Sequence, residues 1–308
     1  NMTIHVCLSS DDKYARHLGV TIASILVNKA PEDELFFHIL DGGISRENRS
    51  RLESLQNLAS FKIEFLAVDI SLFQNFPLDT DGPAHVSLAT YYRILLPEFL
   101  PHIEKIIYLD CDVICRSSLA PLYADDMQGF SLKGAIDIDA ERQSARLDIN
   151  RYVCAGVLLF NLAQWRRQDL EARCLAFIRE HADKILMHDQ DVLNVICQES
   201  LGLLDRTWDA QVCGTRQARL SGFNELGRTA NIIHFIGARK PWLPGCRAPY
   251  RKEYFRYLAL TPWAEAVRSY RKACLRHFFF HTRISHGRKK WYVCGIRVFQ
   301  SLCPPHKI

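Results

Sequence analysis

The strongest chemical feature of the chain is Tyr108-Leu109-Asp110-Cys111-Asp112-Val113, two carboxylates two residues apart at the end of an apolar run. Carboxylate oxygens are hard donors suited to Mg²⁺ or Mn²⁺, ions that take one or two protein carboxylates and complete their shell with phosphate oxygens. A second cluster runs from His234 through Gly237 and Lys240 to Trp242. Its histidine can ligate the same ion through a neutral ring nitrogen, its glycine lets backbone approach a phosphate, and its lysine offers a point charge. Together the two clusters suit a metal that bridges the protein to a diphosphate. Taken singly, they read as a solvated strand-end turn and a satisfied core histidine. A third cluster, His188-Asp189-Gln190-Asp191, opens a helix. One acid there complements the helix dipole, whereas an amide flanked by two acids is apt for hydrogen-bonding several hydroxyls of a sugar.

The elements that must position these groups alternate between strand-like and helix-like stretches. Ile4 to Leu8, Leu35 to Leu40, Phe61 to Val68 and Lys105 to Leu109 read as strands, the last almost continuously apolar as in an interior parallel strand. Tyr14 to Val27 carries Leu18, Ile22, Ile25 and Leu26 at helical spacing, and Ser45 can cap a following helix. Gly134 to Asp137, Val157 to Phe160 and Ile232 to Phe235 add strands; Leu162 to His181 reads as one long helix and Gln190 to Cys197 as a shorter one. Alternation of this kind predicts an α/β fold, a mostly parallel sheet with helices on both faces.

The chain has 308 residues, 48% of them hydrophobic and 24% charged, which excludes wholesale disorder. No apolar run approaches the length of a membrane span, and the first residues lack the pattern of a secretory signal. The 11 cysteines are scattered and contain no Cys-x-x-Cys pair, so reduced thiols in a cytoplasmic protein are expected. The charge is divided unevenly. Residues 262–308 hold ten lysines and arginines against the one acid Glu265, a net +9, so residues 1–261 carry −4 of the chain's +5. A catalytic domain over 1–261 and a basic, aromatic, helical extension over 262–308 follow, with Thr261 to Phe280 amphipathic.

Seven segments, in order over about the first 245 residues, resemble glycosyltransferase family 8, and particularly its bacterial lipooligosaccharide α-galactosyltransferases. They are Ser9 to Tyr14, Phe37 to Ser45, His85 to Arg93, Tyr108 to Asp112, Ala155 to Asn161, Asp189 to Asp191 and His234 to Trp242. The resemblance implies a GT-A type, Rossmann-like nucleotide-binding core and transfer of a hexose from a UDP-sugar with retention of anomeric configuration. It implies that Asp110, Asp112 and His234 bind Mn²⁺, with Mg²⁺ as the alternative. Ser9, Asp11 and Lys13 would hold uracil and ribose; Arg93, Asp110 and Asp189 would contact the donor sugar; Gly237 and Lys240 would grip the diphosphate. Cys154 and Gly156 would lie beside the donor, Cys154 standing where relatives place asparagine. Gln190, the implied catalytic residue with Asp189, would sit by the anomeric carbon. His85, Thr90 and His188 would fall on the acceptor side, His188 in place of a glutamine common in the galactosyltransferases. The implied route is front-side attack by the acceptor hydroxyl within a short-lived ion pair.

No Gly-x-Gly-x-x-Gly, phosphate-loop or Gly-x-Ser-x-Gly pattern points to a dehydrogenase, a nucleotide triphosphatase or a hydrolase. Cys111 reads as a packed small residue. The basic tail interleaves eight aromatics with cations between Trp263 and Phe299, which suits an anionic inner-membrane surface and peripheral attachment on its cytoplasmic face. No nucleic-acid fold presents that surface, so a nucleic-acid partner is not expected. Two other classes stay open: a catalytically reduced UDP-sugar or glycan binder, and a basic membrane- or nucleic-acid-binding module.

Overall fold

A computed structural model describes residues 2–73, 75–77, 88–215, 222–285, 288–294 and 296–302. Its centre is a seven-stranded sheet made of β1 (Thr3–Ser10), β2 (Glu34–Asp41), β3 (Lys62–Ala67), β4 (Lys105–Leu109), β6 (Leu132–Ile136), β7 (Val153–Asn161) and β8 (Leu201–Leu203), in the order β3-β2-β1-β4-β7-β6-β8. The pairs β1–β2, β2–β3, β1–β4 and β6–β8 are parallel, while β7 is antiparallel to both neighbours. Successive residues on β4 enter opposite cores: Ile107 and Leu109 join one apolar cluster, Ile106 and Tyr108 the other. Burial on both faces is why this strand carries no polar alternation.

A second, three-stranded sheet, β5 (Val113–Cys115), β10 (Ile232–Phe235) and β9 (Ala210–Val212) in the order β5-β10-β9, packs beside the first. The helix Ala15–Asn28 lies against it: Thr21 Oγ1 donates to the Val113 carbonyl at 3.0 Å, and the Ser24 hydroxyl accepts from Cys115 N at 3.0 Å. Ser45 does cap the helix Arg46–Glu53, accepting from Asn48 N. The expected long helix after Leu162 is two helices, Leu162–Arg167 and Leu170–Glu180, broken at Asp169, whose φ of 51° is left-handed.

The extension is helical only over Ala266–Phe279 and then becomes an antiparallel meander of β11 (Phe280–Ser285), β12 (Arg288–Val293) and β13 (Ile296–Leu302). The helical reading missed the β-branched and aromatic residues Trp291, Tyr292, Val293, Ile296, Val298 and Phe299, which favour strands. Trp263 is buried against Gly19, where an added Cβ would stand 2.5 Å from its ring. This indole pins the start of the extension to the core.

Candidate active site

The two carboxylates of the Asp-x-Asp motif sit at the seam between the sheets. After β4 the chain turns through Cys111 and Asp112 into β5, and each sheet holds one end of the turn. Asp110 N donates to the Gly156 carbonyl on β7 at 2.9 Å, and the Asp112 carbonyl accepts from Phe235 N on β10 at 3.0 Å. Asp110, Asp112 and His234 bring ligand atoms within 4.8 Å of one another. Cys111 is buried, with Sγ 3.2 Å from the Ser9 carbonyl, in keeping with a packing role.

His234 is presented by β10 and fixed from behind. Its Nδ1 lies 2.9 Å from Asp209 Oδ1, and its Nε2 faces Asp112 Oδ1 at 3.4 Å. A carboxylate holding one imidazole nitrogen while the other faces an ion site is how metal-binding histidines are oriented. Burial disfavours charge on this ring, yet Asp209, Cys154 and Asp112 together raise its pKa well above the ordinary histidine value. Gly156 permits the arrangement, since an added Cβ would stand 2.6 Å from His234 Nδ1. Burial alone would raise the Asp112 carboxyl, but Lys240 and His234 hold it well below the usual carboxylate range. Lys240 donates to Asp112 and, at 2.8 Å, to the Phe235 carbonyl. Gly237, at φ 75°, makes the left-handed turn between His234 and Lys240 that a side chain would strain.

Arg93 organises the opposite wall. Its guanidinium pairs with Asp110 at 2.8 Å and Asp189 at 3.0 Å, donates to the Ala155 carbonyl, and lies 4.0 Å from the centre of the Tyr108 ring. Asp189 also accepts from the Thr90 hydroxyl. Gln190 is oriented at both ends: Oε1 accepts from Ala155 N at 2.9 Å, and Nε2 donates to Asp137 at 3.1 Å. Burial pushes the Asp137 carboxyl upward. Asp191, flanking Gln190, instead points into the protein and accepts from Tyr152, Arg146, Leu186 N and Met187 N. It thereby shapes the turn that holds His188 at φ 52°, ψ −131°, an uncommon backbone state.

These residues line one cavity of about 410 Å³. Ser9, Asp11, Thr90, Arg93, Asp110, Asp112, Cys154, Gly156, His188, Asp189, Gln190, His234, Gly237 and Lys240 all reach it. Lys13 does not; it is exposed on the turn after β1, where Asp11 caps the chain by accepting from Tyr14 N at 2.9 Å. His85 lies outside the described residues. Asp137 and Asp139 also line the cavity and were not singled out from the sequence, although they repeat the two-apart carboxylate spacing at a strand end. Asp209 was missed because no local pattern marks it.

The chain is 31% identical over 279 residues to general stress protein A of Bacillus subtilis, covering 84% of this chain and 94% of that one. It is 22% identical over 274 residues to a lipopolysaccharide 1,3-galactosyltransferase of Salmonella typhimurium, 85% and 80% of the two chains. The crystal structure of galactosyltransferase LgtC in complex with donor and acceptor sugar analogs superposes with a TM-score of 0.75 at 27% identity, covering 85% of this chain and all of that one. The fold is thus of the GT-A type. The family Glycosyl transferase family 8 matches residues 5–245, from β1 to just beyond Trp242, so the chain belongs to that family.

Proposed function

We propose that this glycosyltransferase is a divalent-metal-dependent, retaining hexosyltransferase. It moves galactose, or glucose as the next choice, from a UDP-sugar to a sugar hydroxyl of a bacterial lipooligosaccharide or lipopolysaccharide. The observation that carries the reading is the convergence of Asp110, Asp112 and His234 at the mouth of a seam cavity. Their oxygen and imidazole donors fit Mn²⁺ or Mg²⁺, and Asp112 Oδ1 is buried without a hydrogen-bond partner, as a ligand atom would be. Such an ion would supply Lewis-acid stabilisation of charge growing on the departing diphosphate. Lys240, released from Asp112, would bind the same diphosphate as a fixed cation.

The remaining roles follow the walls of the cavity. Ser9 and Asp11 would hold the nucleoside, and Arg93 would keep Asp110 and Asp189 aligned toward the donor sugar. Gln190, immobilised by Ala155 and Asp137, would present its amide beside the anomeric carbon. Thr90 and His188, and His85 by sequence position, would face the acceptor. The departing phosphate oxygen could take the acceptor proton, so no separate base is required. The test is a panel of UDP-sugars with Mn²⁺ and lactose, read as UDP release and product anomericity, with Asp110→Asn beside it. Retained α-configuration and loss of Mn²⁺-dependent turnover in the variant support the reading. Intact Mn²⁺–UDP binding without turnover from any donor would replace it with a nucleotide-sugar binder.

The extension is proposed to attach the enzyme to the cytoplasmic face of the inner membrane. Leu275, Phe278, Phe280, Ile296, Val298 and Phe299 are exposed among its cations, a composition that suits an anionic lipid surface at about 1 kcal/mol per well-placed cation. Among the described residues no helix is long and apolar enough to cross a membrane. Ending the chain at Val267 keeps Trp263 seated and should abolish binding to anionic vesicles while sparing lactose turnover. Equal vesicle affinity in both forms would refute attachment.

A further inference from the structure

We propose that Cys154, Asp209 and His234 form a second metal site, for a thiophilic divalent ion such as Zn²⁺, behind the Asp110–Asp112 pair and sharing its histidine. The three side chains are all buried, and their ligand atoms lie within 4.8 Å of one another. Cys154 Sγ is 3.6 Å from His234 Nδ1, close to the separation of a sulfur and a nitrogen on one tetrahedral Zn²⁺. Asp209 Oδ1 already lies 2.9 Å from that nitrogen, and its Oδ2 is buried with no hydrogen-bond partner. A buried carboxylate with one oxygen left over, beside a thiol and an imidazole, is the donor set that Zn²⁺ takes and Mn²⁺ does not favour. Asparagine at position 154 would offer no thiolate, so the site belongs to this chain's own residue.

Binding there breaks the Cys154 S–H bond, forms a sulfur–metal bond and sends the proton to solvent. It also decides the state of the histidine. A neutral imidazole carries one proton, so a metal on Nδ1 places that proton on Nε2, the nitrogen facing Asp112. Nε2 is then a donor and cannot ligate an ion held by Asp110 and Asp112. The two sites exclude each other, and Zn²⁺ becomes an antagonist of the catalytic ion. This antagonism rests on the proposed Mn²⁺ site; the thiolate site does not.

The test titrates metal-free, full-length protein with Co²⁺ as a spectroscopic substitute for Zn²⁺. Thiolate-to-cobalt charge-transfer absorption should appear in the wild type and in Asp112→Asn, vanish in Cys154→Ser, and require at least tenfold more Co²⁺ in Asp209→Asn. No such band in the wild type, or an undiminished band in Cys154→Ser, overturns the site. Should Cys154→Ser fail to fold, an unchanged midpoint in Asp209→Asn overturns it equally. Electron paramagnetic resonance of bound Mn²⁺ supplies the second readout, in which Zn²⁺ should displace Mn²⁺ from the wild type. Simultaneous binding of both ions overturns the shared histidine. A wild type that shows the cobalt band but never binds Mn²⁺ would refute the proposed catalytic ion and leave the thiolate site standing.

Discussion

Gly156→Ala tests whether the close packing of His234 on β7 sets the metal geometry. The new Cβ would stand 2.6 Å from Nδ1 and 2.8 Å from Nε2, and closer still to Cε1, so the ring must retreat by about 1 Å to reach ordinary contact. Asp209 blocks that retreat from behind, and the ring is buried, so part of the clash passes into the backbone of β7. Overpacking of this kind costs about 1–3 kcal/mol in urea unfolding. A metal ligand tolerates only about 0.2 Å, and a misplacement near 1 Å at a site costs on the order of 100-fold. Mn²⁺ affinity and turnover should therefore fall by about two orders of magnitude. Gly134→Ala is the control: its Cβ would meet Val153 at 2.9 Å on the same pair of strands, away from His234. It should destabilise similarly without weakening Mn²⁺ binding. Wild-type Mn²⁺ affinity in Gly156→Ala, or an equal loss in Gly134→Ala, would refute the reasoning.

Three further outcomes can be checked. Arg93→Met removes the guanidinium between Asp110 and Asp189 and should cost about 3–5 kcal/mol in denaturant unfolding, with Arg93→Lys recovering only part, because one ammonium cannot serve four acceptors. Asp191→Asn turns an amide toward the donors of Tyr152, Arg146, Leu186 and Met187; it should cost about 2 kcal/mol and raise hydrogen exchange at Leu186 and Met187. Burial, with Glu98 nearby, pushes the Glu171 carboxyl up to about 7. Its folded pKa exceeds the unfolded value, so its stabilisation is complete below about 4.5 and is lost as pH rises through about 7. Glu171→Gln should then raise the unfolding free energy at pH 8 by about 1 kcal/mol after discounting solvent screening, and change little at pH 5, as read by denaturant unfolding at each pH.

Six strands of the large sheet were legible because each is a short apolar run between turn residues, whereas β8, three residues long, was not. Ser45 was legible as a cap because capping is local. Of the second sheet only β10 was legible, since β5 and β9 are three residues each and gain stability only by pairing across the chain with β10. The break at Asp169 lies inside an otherwise helical pattern, and its left-handed φ leaves no signature in an aspartate. Among site residues, those in motifs were found and those acting through tertiary contact were not. Asp209 matters only because His234, on a neighbouring strand, turns its ring toward it. Asp191 sits in a motif yet faces inward, and nothing in the spacing distinguishes it from Asp189.

The seam between the two sheets also has a consequence for how the chain is made. Asp110 and Asp112 emerge in the first half of synthesis, but among the described residues β5 pairs only with β10, which arrives about two fifths of the chain later. Until then Asp112 lacks the Phe235 amide, His234 and Lys240, and Asp209 has no ring to hold. Contacts closed over so long a loop form late. A ribosome-bound fragment ending before Ile232 can build the strands of the large sheet and still lack the proposed metal site. The growing chain would acquire the shape of its large sheet before the proposed site could assemble.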